Sequence, residues 1–388
     1  MTLELLRRLL TPVLVCLIAL ALQWRVWRKL RGARWVLASA AASRVLKWLH
    51  YALAALLVVV VPALFVARHP LLGPAAVSWL MAGVFLYSFL LMSAALWLAR
   101  GPARDARGEP DAGRRAFLRA ATGAGAALPA LVGAAGLIGA RMRPELVQVD
   151  IRIPRLHPDL DGLRIAQLSD IHYGPFFGRS DLEYAVAMAN DARAHVTLVT
   201  GDLITRWGDD LEGCVQVLKA LRGEAGVWGC LGNHERYAQV EDEATVLGAA
   251  AGMQFLRRQR EVLRFGAARL NLIGVDYQQL GAPALVGVKP LVAAGAVNVL
   301  LSHTPAAFDR AAALGIDLTI SGHTHGGQLN LQVGDENVTL ARVFTPYVRG
   351  LYRKGGSQLY VNRGLGTVGA PLRIGARPEV SVIRLCAT

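Results

Sequence analysis

Leu318-Thr319-Ile320-Ser321-Gly322-His323-Thr324-His325-Gly326-Gly327-Gln328 is a short aliphatic and β-branched run, then a glycine, then two histidines one residue apart, then two more glycines. Four such residues bounded by glycine predict a buried strand that ends in a tight turn. The turn carries two imidazoles. The same arrangement recurs upstream: Leu163-Arg164-Ile165-Ala166-Gln167-Leu168 ends at Ser169-Asp170, with Ile171-His172 following, and Val196-Thr197-Leu198-Val199 ends at Gly201-Asp202. Val227-Trp228-Gly229-Cys230-Leu231 ends at Gly232-Asn233-His234-Glu235, and Val297-Asn298-Val299-Leu300-Leu301 stops just before His303. From about Gln148, short strands thus alternate with amphipathic stretches, which is an α/β pattern. Five groups of polar side chains sit directly after strands, and in open α/β sheets ligands gather outside the carboxyl ends of strands.

These carboxylates, imidazoles and carboxamide suit Mn, Fe or Zn ions. A carboxylate such as Asp202 can bridge two ions roughly 3.5 to 4 Å apart, close enough to clamp a phosphoryl group between them. Asp170 and His172, at i and i+2, project to one side if that tip stays extended, and His323 and His325 can reach different ions across their glycine-flanked turn. Each piece has an ordinary reading alone. An Asp after a strand caps a helix, an HxH pair belongs to a surface loop, and glycines serve positive-φ turns. Yet five of the nine histidines fall in these stretches, and together they point to a metal-dependent phosphoester hydrolase.

The order DxH, GD, GNHE, H, GHTHGGQ resembles that of the calcineurin-like metallophosphoesterases. The full GHTHGGQ string, with Tyr360-Val361-Asn362-Arg363-Gly364-Leu365-Gly366 and Arg377-Pro378-Glu379-Val380, is similar to their bacterial membrane-associated branch. The resemblance covers residues 148–386. It implies a four-layer α/β/β/α sandwich with two central sheets. It also implies one divalent ion held by Asp170, His172, Asp202 and His325 and a second held by Asp202, Asn233, His303 and His323. A hydroxide shared by the ions would attack phosphorus in line, with His234 as the acid that protonates the leaving oxygen or stabilises charge on the phosphoryl group. Glu235 either orients His234 or is a solvated residue opening a helix. Arg363, Asn362 and Arg179 are candidate phosphate contacts, set against the ordinary reading of arginines as surface solvation.

The front of the chain is different. Residues 1–146 carry 18 Lys and Arg against 5 Asp and Glu, a net of +13, while residues 147–388 carry 24 against 23, a net of +1. The second part therefore lacks the basic field that drives nucleic-acid binding, so no nucleic-acid partner is expected. Apolar runs at 9–24, 48–67, 74–99 and 120–140 each approach the ~20 residues that cross a bilayer as helix. The expected organisation is a membrane region over 1–146, with about four transmembrane helices, and a phosphoesterase domain over 147–388. Basic residues cluster between the first and second spans and after the third, which puts the catalytic domain on the outer side of a bacterial inner membrane. Gly113-Arg114-Arg115-Ala116-Phe117-Leu118-Arg119 before the fourth span resembles a twin-arginine export signal and reads equally as a plain topology determinant.

A tethered catalytic domain makes a lipid-linked or cell-envelope phosphodiester the expected substrate. Tyr173, Pro175, Phe176 and Phe177 would then face a lipid chain, or else pack as core. Two other functions fit the motifs: a lipid pyrophosphohydrolase of the UDP-diacylglucosamine type at the cytoplasmic face, and a non-catalytic metal-binding membrane scaffold. Cys16, Cys214, Cys230 and Cys386 show no metal-binding spacing, and Cys214 and Cys230 are expected as buried thiols or as a bridge.

Overall fold

In the computed structural model, residues 135–278, 284–333, 336–369 and 371–387 are described, with scattered positions between 20 and 55. The chain divides into two units, Met1–Ala134 and Ala135–Thr388. Among the described residues no helix is long and apolar enough to cross a membrane. The expected spans at 9–24, 48–67, 74–99 and 120–140 fall wholly or largely outside those residues, as does the Arg114-Arg115 stretch.

The second unit contains two six-stranded sheets. The first is built from β1 (Glu145–Ile153), β2 (Arg164–Leu168), β3 (Val196–Thr200), β4 (Val227–Cys230), β5 (Met253–Phe255) and, from the far end of the chain, Glu379–Ala387. The second takes β6 (Gln259–Phe265), β7 (Ala268–Gly274), β8 (Val297–Leu301) and β9 (Leu318–Ser321). After a hairpin of β10 (Asn330–Val333) and β11 (Glu336–Thr339), it is completed by β12 (Gly350–Lys354) and β13 (Ser357–Val361). With the last strand as β14, the orders are β1-β14-β2-β3-β4-β5 and β12-β13-β9-β8-β7-β6. The central strands run parallel, with Ile165 opposite Val196, Thr197 opposite Val227 and Val299 opposite Leu318. They are covered on both faces, which is why β3, β8 and β9 read as near-continuous apolar runs rather than alternating ones.

Four buried clusters define the layers. Ile165, Leu198 and Ile383 of the first sheet meet Leu272, Val299 and Ile320 of the second to form the central core. Outside the first sheet, Leu182 and Val186 of α1 (Arg179–Asp191) and Val215 and Leu218 of α2 (Leu211–Leu218) pack on Ala166, Leu168 and Val199. Further along lie α3 (Asn233–Ala238), α4 (Glu241–Ala250) and α5 (Phe308–Ala313). On the outer face of the second sheet, Ala311 of α5 packs on Ile273 and Leu300, and Phe308 packs on Leu359 and Val361. The layer order is helix, sheet, sheet, helix. The fold-deciding strands lie within a residue or two of the runs read from sequence.

Local rules set the helix starts. Asp210 caps α2 by accepting from the Gly213 N–H, which satisfies one of the donors a helix start leaves unpaired. Cys214 and Cys230 are both buried free thiols. Tyr173 and Phe177 belong to the cluster beneath α1, so for two of the four residues the reading as packed core holds.

Candidate metal centre

The loops after β2, β3, β4, β8 and β9 open at one end of the sheets and bring the candidate ligands together. Asp170, His172 and His325 form one group of ligand atoms, Asp202, His303 and His323 a second, and His172, Asp202 and His234 a third, with the atoms of each within 4.8 Å of one another. His325 Nε2 is 3.4 Å from Asp170 Oδ1. Asp202 Oδ2 lies between the groups, 3.0 Å from His303 Nε2 and 3.6 Å from His172 Nε2. Asn233 is buried on the same rim, and its Oδ1 has no hydrogen-bond partner.

The backbone pays for this convergence. Asp170, His172, Asp202, His323 and His325 have φ of 50°, 47°, 55°, 72° and 52°. The Asp170–His172 tip is therefore not extended as expected; it turns through the left-handed region, which Asp and His tolerate better than most residues. Strained positions of this kind persist where surrounding contacts over-determine them, and they concentrate at functional sites. Two glycines are required by close approach. A Cβ on Gly322 would lie 2.1 Å from Asp170 Oδ2, and one on Gly232 would lie 2.1 Å from Asp202 Oδ1.

Carbonyl oxygens behind the site make Nδ1 the donor in His303 and His325, and the Thr205 hydroxyl is placed to accept from His172. His303 Nδ1 donates to the Thr200 carbonyl at 2.7 Å, His172 Nδ1 to Thr205 Oγ1 at 3.1 Å and His325 Nδ1 to the Gly366 carbonyl at 3.3 Å. Each Nε2 is thereby turned to the cleft, the arrangement by which oxygen acceptors orient metal-binding imidazoles. His323 presents Nδ1 instead, 3.3 Å from His303 Nε2. Ser169 Oγ donates to Asp170 Oδ2 at 2.6 Å, and the His323 N–H donates to Asp170 Oδ1 at 2.9 Å. His234 sits beside these groups, its ring edge-on to that of His172 at 4.8 Å. Its backbone N–H donates to Asp202 Oδ1 at 2.9 Å and its Nδ1 to the Thr205 carbonyl in a short hydrogen bond.

Burial dominates the electrostatics. It pulls His172 down to about 3 and His323 to about 4, and takes His325 well below the ordinary imidazole value, so all three rings are neutral near pH 7. Burial, with Asp202 adding to it, lifts Asp170 to about 6. For Asp202 burial also acts upward, but His303 outweighs it and the carboxyl is held well below its usual range. His303 is the counterpart: burial works against its charge, and the Asp202 carboxylate wins and raises it to about 10. A field that stabilises a proton on that nitrogen also stabilises a divalent cation competing for the same lone pair. The orphaned Asn233 oxygen, the facing Nε2 lone pairs and the shared carboxylate fit divalent metal ions.

The other candidates have partners of their own. Glu235 neither points at His234 nor meets solvent. It is fully buried, and its carboxylate accepts from the N–H groups of Asp202 (3.0 Å), Leu203 (2.7 Å) and Gly232 (2.7 Å). The Gly232 contact is half of a capping box, a signal present in the GNHE spacing. Arg363 is committed to Glu379 and to Glu145 rather than to the cleft. Asn362 donates to Ser381 Oγ at 2.6 Å and accepts from the Gly364 N–H at 2.6 Å. Arg179 is exposed and pairs with Glu183 one helical turn on. Sequence reading missed Thr205, which touches both His172 and His234, and the lip formed by Tyr237 and Tyr277. Their hydroxyls lie 3.5 Å apart, the Tyr237 ring 5.8 Å from His234 and the Tyr277 ring 6.3 Å from His323.

The sequence profile of calcineurin-like phosphoesterases matches residues 163–327. A Bos taurus protein named transmembrane protein with metallophosphoesterase domain is 32% identical over 347 residues, spanning 83% of this chain and 76% of that one. The uncharacterized metallophosphoesterase YkuE of Bacillus subtilis is 29% identical over 284 residues, 71% of this chain and 98% of its own. An uncharacterized metallophosphoesterase of Campylobacter jejuni is 31% identical over 254 residues, 65% of this chain and 66% of the relative.

Proposed function

The chain belongs to the calcineurin-like phosphoesterase family and is a metal-dependent phosphoester hydrolase, and from that premise we propose that it cleaves phosphodiesters of lipid or cell-envelope substrates at a two-ion site. One Mn, Fe or Zn ion would be held by Asp170, His172, Asp202 and His325, and the other by Asp202, Asn233, His303 and His323. Such ions supply Lewis acidity toward the phosphoryl oxygens and an activated water. The protein's own residues do the rest. Asp202 fixes the spacing of the two ligand groups, and the Thr205 carbonyl holds Nδ1 of His234, so the ring donates its proton to the leaving oxygen from Nε2.

The observation that carries this reading is the pairing of Asn233 with His234 at the start of α3. One offers a buried oxygen with no partner, and the next offers a ring beside the shared carboxylate. A structural metal site or scaffold has no need of a neighbouring proton donor or an open position.

The membrane part of the proposal is supported by the apolar runs before residue 141 and by relatives from Bos taurus and Danio rerio whose names include "transmembrane". In this reading residues 1–146 anchor the chain through about four helices, and residues 147–388 act on the outer side.

The test uses the full-length chain in detergent with Mn²⁺, comparing bis-p-nitrophenyl phosphate with p-nitrophenyl phosphate. Metal-dependent turnover of the diester, well above that of the monoester, is expected. Preference for the monoester, or no turnover with two ions bound, would sink the diester reading and favour a pyrophosphate or scaffold role. A topology reporter fused after Thr388 should read as external; a cytoplasmic signal would move the site to the face where nucleotide-linked lipids are made.

A further inference from the structure

Arg373 is among the largest fully buried side chains, 2% exposed, and its guanidinium is bonded to main-chain carbonyls rather than to a carboxylate. Nη1 donates to the carbonyls of Arg363 (3.0 Å) and Ala376 (2.9 Å). Nη2 donates to Gly364 O (3.2 Å) and Gly366 O (2.5 Å), and Nε donates to the same Gly366 oxygen (3.1 Å). Burial lowers it only to about 10, so the side chain is still charged at neutral pH. A buried cation without a paired anion is costly. What it holds is therefore informative.

The carbonyls it binds belong to the floor beneath two candidate ligands. The Gly366 N–H donates to the Asp170 carbonyl at 2.8 Å, and the Gly366 oxygen accepts from His325 Nδ1. A Cβ on Gly364 would lie 2.6 Å from that of Asp170, which leaves no slack between floor and ligand loop. The planar five-donor fork of Arg suits several carbonyls at once; a lysine ammonium does not.

The backbone of Arg373 is itself anchored. Its N–H donates to the Gly136 carbonyl at 2.8 Å, and a Cβ on Gly139 would lie 2.1 Å from its carbonyl oxygen. Residues 135–140 are helical and continue the apolar run that begins at residue 120. The chain entering the catalytic unit thus rests on the segment that carries Arg373.

We propose that Arg373 is a positioning residue for the ion site of Asp170, His172 and His325, and that the helical residues 135–140 hold it in place through Gly136 and Gly139. The inference rests on the two-ion reading above. Arg373 acts through the Gly366 carbonyl, which sets the direction of His325, and its Nη2 also lies 3.5 Å from His325 Nδ1. Among the described residues no hydrogen bond joins Asn233, His303 or His323 to this floor, so the second ion site should not respond.

The test compares full-length wild type, Arg373→Lys and Gly139→Val after one mild chelator challenge, reading bound metal per chain by elemental analysis beside kcat and KM for the diester. Wild type should keep two ions and each variant about one, with kcat lowered about 10- to 100-fold, as for lost outer partners of metal ligands, and KM unchanged. Excess Mn²⁺ should restore both variants, whose candidate ligands are all intact. Both variants keeping two ions as tightly as wild type would overturn the proposal, and so would loss of both ions together with a lowered melting temperature. A wild-type chain that never holds a second ion would instead overturn the two-ion reading beneath it.

Discussion

His172 Nε2 and His325 Nε2 stand 3.1 Å apart across the cleft, each with its Nδ1 turned away toward an oxygen, Thr205 Oγ1 for one and the Gly366 carbonyl for the other. Two neutral rings held lone pair to lone pair repel unless something positive lies between them. Burial makes a proton a poor candidate and leaves a metal ion as the better one.

Acidity should therefore weaken the chelated protein. Unfolded histidines take a proton near 6.5, whereas in the fold His172 does so only near 3 and His323 near 4. Between pH 6.5 and about 4 the unfolded state binds protons that these rings refuse, so their contribution is lost as pH falls. Asp170 has the opposite sign between its unfolded 3.8 and about 6, because the fold takes up its proton first, and Glu235, also raised by burial, acts likewise. His303, raised to about 10, also gains stability as pH falls toward 6.5, but with His325 lowered too the three depressed rings outweigh it and the two carboxyls. The melting temperature of the metal-free chain should drop from pH 7 to pH 5 by calorimetry; a rise would show that the carboxyls dominate.

His234→Ala should separate chemistry from metal binding. Loss of a positioned proton donor lowers kcat about 10²- to 10⁴-fold, while elemental analysis should find the wild-type metal content. An equal loss of metal would make His234 a ligand or a structural support.

Asn233→Leu should act in opposite directions on stability and on metal. It removes a buried acceptor with no partner, and such an unmet group costs about 1–3 kcal/mol, whereas an apolar replacement of similar shape is near neutral or stabilising. The metal-free variant should melt no lower than wild type and bind its second ion more weakly. A lower melting point with unchanged metal affinity would mean that the oxygen serves the fold.

Glu235→Gln should cost stability as well as activity. The carboxylate accepts from three backbone N–H groups, and a carboxamide presents one acceptor oxygen and a clashing NH₂. A loss of about 1–3 kcal/mol is expected for a donor left unmet, read as a shifted denaturant midpoint with unchanged slope. An unaltered midpoint with lowered kcat would restore the idea that Glu235 serves His234.

The strands and the candidate ligand residues were readable because both obey strict local demands. A strand buried on two faces is a near-continuous apolar run, and a divalent ion accepts few side-chain types, so β2, β3, β4, β8 and β9 and the residues after them stand out. What holds those residues was hidden. The left-handed turns at Asp170 and His172 depend on Gly364 and Gly366, nearly two hundred residues away in sequence. Arg363 and Asn362 follow β13 in a glycine-rich motif and look like phosphate ligands, but their partners Glu379 and Ser381 come from β14, which only the sheet order brings close. Arg373 and Thr205 have no motif at all. Their roles come from which carbonyl or ring the fold places beside them.

The most direct test of the two-ion account is Asp202→Asn in the full-length chain, with metal content and diester turnover measured on the same sample. Because Asp202 Oδ2 stands between His303 and His172, losing its charge should leave fewer than two ions per chain and abolish turnover while circular dichroism stays that of wild type. Two ions retained with wild-type turnover would contradict the account.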